Sequence, residues 1–212
     1  MKILGVGLSR TGTTSLTHAL EILGFKCIHY DRYRLTDILD GSNKNPDFRR
    51  YDDVDAVIDV PSVFFYREIL DAYPASKAIL TIRDVSAWWK SIEYHLNNRY
   101  PIKQLDPSLL NCIAQVFGIK RWVKTLEDRD RFMSLVRNWG YGSVTPHEFL
   151  YKKRYQDHNQ HVQAEVPAHR LLIMNITNGD GWDKLCLFLE LPVPSVPFPY
   201  RNKTSGSEDP DH

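Results

Sequence analysis

Residues 3–20 read ILGVGLSRTGTTSLTHAL, a stretch that sets both the fold class and the place to look for chemistry. Ile3 to Leu8 is a short apolar run with the length of a buried strand. Leu16, Leu20 and Leu23 then share one face of a helix over 13–23 that Gly24 stops. A strand, a glycine turn and a helix start gather backbone N–H groups and the positive end of the helix dipole around one point, which is an oxyanion site. Gly7 and Gly12 fit the frame G-x-x-x-x-G, which nucleoside-triphosphate loops continue with Lys and then Ser or Thr. Here the lysine position is Thr13, and a cation lies inside the loop as Arg10. Thr11, Thr13 and Thr14 add hydroxyl donors, but Thr13 brings no charge to β- and γ-phosphates. The loop suits a donor with a shorter anionic chain and no metal.

Working outward, KCIHY (26–30), VDAVIDV (54–60), KAILTIR (77–83) and RLLIMNI (170–176) read as further strands. Helices are expected over 62–72, 85–96 and 181–190. Strands alternating with helices at this spacing predict an α/β three-layer sandwich of phosphate-loop type with a mostly parallel central sheet. Right-handed crossovers then gather the loops at the strand carboxyl ends on one edge, where ligands bind. Between about 97 and 165 the pattern turns helical, aromatic and charged, which reads as an inserted helical cap on a single domain spanning 1–202. From Leu191 the chain is proline-rich and extended, and 203–212 read as a disordered tail.

The chain of 212 residues, with 42% hydrophobic and 25% charged residues, suits one soluble domain. A formal net charge of +1 gives no global field for nucleic acid or an acidic membrane surface, so attraction for an anion must be local. Three scattered cysteines, Cys27, Cys112 and Cys186, read as separate buried thiols. That usage, with no secretory leader and no apolar run of membrane-spanning length, points to a cytoplasmic protein.

A second anion site is suggested by LTIRDVSAWWKS. Arg83 ends the fourth strand on the edge that carries the glycine loop, and Ser91 follows eight residues later in the next helix. A guanidinium fork with a hydroxyl suits a second, separate phosphate. The alternative is that Arg83 pairs with Asp84 or Glu93 and Ser91 is an ordinary helix residue. Together these segments resemble the sulfotransferases. Arg10-Thr11-Gly12-Thr13-Thr14 is similar to that family's 5′-phosphosulfate loop, commonly K-S-G-T-T-W, and Arg83 with Ser91 is similar to its 3′-phosphate pair. The segments VDAVIDVPSVFFYREILDAYPASKAILTIRD and DGWDKLCLFLELPVPSVPFPYRN resemble a bacterial-type branch.

The resemblance implies 3′-phosphoadenosine 5′-phosphosulfate (PAPS) as donor, 3′-phosphoadenosine 5′-phosphate (PAP) as product, and no metal. Its donor residues here are Arg10, Thr11, Gly12, Thr13, Thr14, Ser15, Arg83, Ser91 and, from a late basic segment, Arg201. Two positions depart from the family. Arg10 replaces a lysine, which keeps charge but not geometry, and Ser15 replaces an aromatic that stacks on adenine in many members.

The family's base, a His two residues before a Pro, is matched here by Asp59 in Ile58-Asp59-Val60-Pro61. Asp59 reads either as a carboxylate base or as the cap of the helix starting near Ser62. His29, ending the second strand, is the rival base. The acceptor implied is a small molecule, whether phenol, sugar or alcohol, chosen by the cap. A small kinase and a non-catalytic nucleotide-binding protein of the same fold remain the alternative readings. Trp88 and Trp89 are adjacent, so one is expected in the core and the other against the acceptor. His158-x-x-His161, KRWVK (120–124) and KKRY (152–155) read as helix faces rather than metal or nucleic-acid sites.

Overall fold

A computed structural model describes residues 1–98, the backbone of 120–126 and all of 127–200. Strands β1 (Ile3–Gly5), β2 (Cys27–His29), β3 (Ala56–Ile58), β4 (Lys77–Thr81) and β5 (Leu171–Met174) form one sheet in the order β2-β3-β1-β4-β5. Every pairing is parallel, with Leu4 opposite both Val57 and Ala78 and Thr81 opposite Met174. Helices α1 (Thr13–Ile22), α2 (Thr36–Leu39), α3 (Tyr66–Ala72), α4 (Val85–Asn98), α5 (Lys120–Tyr141), α6 (Glu148–Glu165) and α7 (Trp182–Leu189) complete the described elements with three short 3-10 turns.

Residues alternate between the faces of the sheet, as strand geometry requires. Ile3, Ala56, Ile58, Ile79, Leu172 and Met174 point to one side, where Leu16, Ala19 and Leu20 of α1 and Leu185 and Cys186 of α7 cover them. Each such buried leucine contributes roughly 1.5–3 kcal/mol. Leu4, Val57, Ala78 and Leu80 point to the other side, against Ile69 of α3, Trp88 and Ile92 of α4, Val136 of α5 and Tyr155 of α6. The result is the expected helix–sheet–helix sandwich, with β1 between β3 and β4 and its loop in the crevice where the strand order turns.

Several strands are shorter than their apolar runs. The run at 54–60 ends its ladder at Ile58 because Asp59 takes the left-handed region, φ 74. The run at 3–8 ends at Gly5, although the Val6 N–H still bonds Ile79 O at 2.9 Å. The expected helix at 62–72 divides into a 3-10 turn, Ser62–Phe65, and α3. Helix α2 has no counterpart in the sequence reading. It belongs to a segment held by bidentate pairs, Arg50 to Asp37 and Arg34 to Asp53.

In the 97–165 region α6 lies on the sheet face. His158 Nε2 meets Val6 O at 2.7 Å, the Tyr155 hydroxyl donates to Arg83 O at 2.8 Å, and Glu165 pairs with Arg67 of α3. Lys152 and Lys153 make ion pairs along their own helix with Glu148 and Asp157. Both tryptophans are core residues. Trp88 stacks on Tyr155 and Trp89 packs edge-on to Tyr151, and among the described residues neither lines the site cavity. The expectation that one would face an acceptor fails because both rings pack against tyrosines of α6, Trp88 on Tyr155 and Trp89 on Tyr151. Cys27 is half-buried, its thiol pushed up to about 12 by burial first, and Cys186 is buried. Cys112, Arg201, the tail at 203–212 and the side chains of KRWVK lie outside the described residues. No helix among the described residues is long and apolar enough to cross a membrane.

Candidate active site

The loop between β1 and α1 is pressed against the end of β4. A Cβ built on Gly7 would lie 2.1 Å from Thr81 Oγ1 and 2.6 Å from Thr81 O, so only glycine allows this approach. The Thr11 hydroxyl fastens the same contact, donating to Leu8 O at 2.6 Å and lying 2.6 Å from Thr81 Oγ1. That hydroxyl is therefore committed to the loop, with Thr11 fully buried. Gly12 sits at the helix N-cap with φ 105, and α1 has neither a side-chain cap nor an acidic residue in its first turn. The positive end of the dipole and the first N–H groups of α1 are thus left for a ligand.

This helix start opens onto a cavity of about 510 Å³. Arg10, Gly12, Thr13, Thr14, Ser15, His29, Asp59 and Arg83, all singled out from the sequence, line it. Arg10, at φ 71, is a non-glycine residue in the left-handed region. Its Nε donates to Ser91 Oγ at 3.1 Å, and Arg83 Nη1 donates to Arg10 O at 3.3 Å. Ser91 does not line the cavity and reaches it through Arg10, whereas Arg83 faces both this cavity and a neighbouring hollow with Asn175, Thr177 and Asn178. Ser15 is buried in the cavity lining.

Asp59 is the most tightly clasped group in the site, only 6% exposed. Oδ1 accepts the Ser9 hydroxyl and the Val60 N–H, the latter at 2.7 Å. Oδ2 accepts the Thr13 hydroxyl at 2.8 Å and faces His29 Nε2 at 3.2 Å. Burial alone would raise this carboxyl. The His29 imidazole, then the Ser9 and Val60 bonds, outweigh burial and hold it at about 2. The helix-cap alternative is not what the side chain does: its bonds run to Ser9, Thr13 and Val60, and it is the main-chain Asp59 O that accepts the Ser62 hydroxyl.

The far wall of the cavity is apolar, built from Tyr30, Ile92, Leu96, Met133 and Val136, with Arg137 and Tyr141 behind. The Arg137 guanidinium is buried and donates to Val144 O and Leu96 O, tying the turn after α5 to the end of α4. Ser9, Tyr30, Arg137 and Tyr141 escaped the sequence reading. Ser9 occupies an unspecified position of the glycine frame, and nothing in the sequence around Tyr141 points back to Asp59.

Comparison with known proteins decides the family. A sulfotransferase domain profile matches residues 2–207. The chain belongs to the sulfotransferase domain family. A curated relative of this sulfotransferase, Ava biosynthesis cluster protein M from Aspergillus versicolor, is 30% identical over 237 aligned residues, covering 98% of this chain and 83% of the relative. Membership makes the protein a transferase with sulfuryl transfer as its general chemistry. In this sulfotransferase, then, a helix N-terminus, two arginines and a carboxylate–imidazole pair face one cavity.

Proposed function

We propose that the protein transfers the sulfuryl group of PAPS to a hydroxyl or amine of a small acceptor by in-line displacement. The observation that carries this is the single cavity holding Arg10, Arg83 and the Asp59–His29 pair at the start of α1. The cradle fits a short anionic chain: glycine permits backbone contact at Gly7, the first turn of α1 is free of acid, and Thr13 stands where a triphosphate loop needs lysine.

PAPS supplies the sulfur, whose bond to the bridging oxygen of the 5′ phosphate breaks as the acceptor oxygen or nitrogen bonds to it. The N–H groups of residues 10–14 hold the 5′ end, and Arg10 neutralises charge on the departing oxygen. Arg83 grips the 3′ phosphate, with Ser91 fixing the guanidinium of Arg10 beside it. The Asp59–His29 pair takes the acceptor's proton as one coupled unit. The products are the sulfated acceptor, PAP and a proton on that pair. Arg201, beyond the described residues, adds a further contact to the 3′ phosphate in the same reading. Thr17, His18 and Glu21 form the rim on α1, and the apolar wall from α4 and α5 seats the acceptor body.

Calorimetry with PAP against ATP–Mg²⁺, together with a panel of phenols, sugars and alcohols assayed with PAPS, tests the assignment. PAP binding without metal and transfer to at least one acceptor are expected. Tight metal-requiring ATP binding would indicate a phosphotransferase, and PAP binding with no transfer to any acceptor a non-catalytic binder.

A further inference from the structure

Ser9 has no assigned part in the chemistry above, yet its surroundings are unusually constrained. Its carbonyl oxygen accepts from Trp88 Nε1 at 3.0 Å, and Trp88 is stacked on Tyr155 with ring centroids 4.3 Å apart. Tyr155 is in turn anchored at 2.8 Å to both the N–H and the carbonyl of Arg83. The Ser9 hydroxyl bonds Asp59 Oδ1. An ionised carboxylate can only accept, so the single Ser9 proton points to Asp59.

Ser9 and the Val60 N–H both hold Oδ1. The other oxygen, Oδ2, is the one turned to His29 and Thr13 at the donor end of the cavity. We propose that Ser9 is a positioning residue that fixes the Asp59 carboxylate in its charged form with Oδ2 presented to His29. The proposal rests on the sulfotransferase reading for its catalytic consequence, but not for the structural effect itself. The Thr13 hydroxyl cannot serve as well, because it stands at the start of α1, where a bound anion competes for it. Removing the Ser9 bond removes one of the contacts that lower the Asp59 carboxyl, so its protonation moves to higher pH. Around Asp59 stand His29 on β2, Arg10 in the same loop, Arg83 beyond β4, His95 on α4, Arg137 and Tyr141 on α5, and His18 and Glu21 on the α1 rim. All of them are kept in every variant below.

The test is a ¹³C NMR titration of the aspartate carboxyls in the ligand-free full chain, with Asp59→Asn assigning the signal. It is paired with kcat and with PAP affinity for Ser9→Ala, Ser9→Thr and Ser9→Cys. In Ser9→Ala the Asp59 midpoint should rise by about one unit, and kcat at neutral pH should fall about tenfold or more while PAP affinity holds. Ser9→Cys, whose thiol donates weakly, should shift both the same way by less, and Ser9→Thr, which keeps the hydroxyl, should restore them. An unmoved midpoint in Ser9→Ala, or in Ser9→Cys should the alanine variant not fold, overturns the proposal; so does a threonine variant as impaired as alanine. If the midpoints move as expected but the wild-type protein transfers sulfuryl to no acceptor, the positioning role stands and the functional reading falls.

Discussion

At the scale of single residues, the proposed function gives donor binding and proton removal to different side chains, and substitutions should separate the two. Asp59 meets its neighbours through a carboxylate that only accepts, so Asp59→Asn keeps the shape but loses the charge and the proton acceptor. Expected is PAP affinity close to wild type with turnover down by about 10²–10⁴-fold, read by calorimetry and steady-state assay. Turnover within a few fold of wild type would move proton removal to His29 alone. Arg83 is the complementary case. It lines the cavity with the Asp59 pair and also faces the neighbouring hollow, so Arg83→Ala should weaken PAP about 10- to 100-fold. Adenosine 5′-phosphosulfate, which lacks the 3′ phosphate, should lose much less; equal losses would place Arg83 elsewhere on the donor. These positions were legible because strand ends, glycine loops and their cations sit in contiguous sequence. Ser9 was not. What identifies it is the bond from its hydroxyl in the β1 loop to the carboxylate at the end of β3, and no local pattern encodes that meeting.

At the scale of elements, the loop after β1 works only because β4 comes so close to it. The alternation of apolar strands with helices was readable throughout, since β-branched and leucine runs such as AVI at 56–58 and AILT at 78–81 are bounded by turn residues. Their ends were less so. Ile58 is the last ladder residue because Asp59 turns left-handed, a conformation set by its clasp to Ser9, Thr13 and Val60 rather than by local propensity. Helix α2 was invisible because it is only four residues long, too short to show a helical period, and its segment is tied by Arg34–Asp53 and Arg50–Asp37 pairs across many residues. The closeness of loop and β4 makes a direct prediction. In Gly7→Ala the added Cβ would meet Thr81 Oγ1 at 2.1 Å and the Thr81 backbone N at 2.7 Å, so the loop must move off β4. A stability loss of about 1–3 kcal/mol in urea unfolding is expected, as for overpacking of a dense interior. PAP binding should fall further than stability alone explains, because the displaced N–H groups no longer converge. A folded Gly7→Ala variant with wild-type PAP affinity would show that the close approach is incidental to the cradle.

At the scale of the whole molecule, the helices on one face of the sheet are joined to one another by charge as well as by packing, and acid should expose this. Glu165 at the end of α6 accepts a two-pronged contact from Arg67 of α3, at 2.5 and 2.6 Å, and the Tyr66 hydroxyl also bonds it. Those partners, Arg67 first and then Tyr66, hold the Glu165 carboxyl at about 2. Asp37, paired with Arg50, is likewise held at about 2. For a carboxylate depressed on folding, the stabilisation is complete above its unfolded value, about 4, and is lost as pH falls through the folded one. The carboxylate contribution to the urea midpoint should therefore be nearly level from pH 7 to 5 and fall between about pH 4 and 2. It adds to a decline that begins below 6.5, where His158, held low by burial, is charged in the unfolded chain first. Glu165→Gln isolates one contribution. Its midpoint should lie below that of the wild type at pH 6, and the gap should narrow between pH 4 and 2 as the wild-type carboxyl becomes protonated and loses its own advantage. Because Glu165 is 39% exposed, the gap should also shrink in high salt. A gap that is constant from pH 6 to 2 would mean that Glu165 acts through side-chain packing alone, leaving α6 held to α3 by its apolar and aromatic contacts.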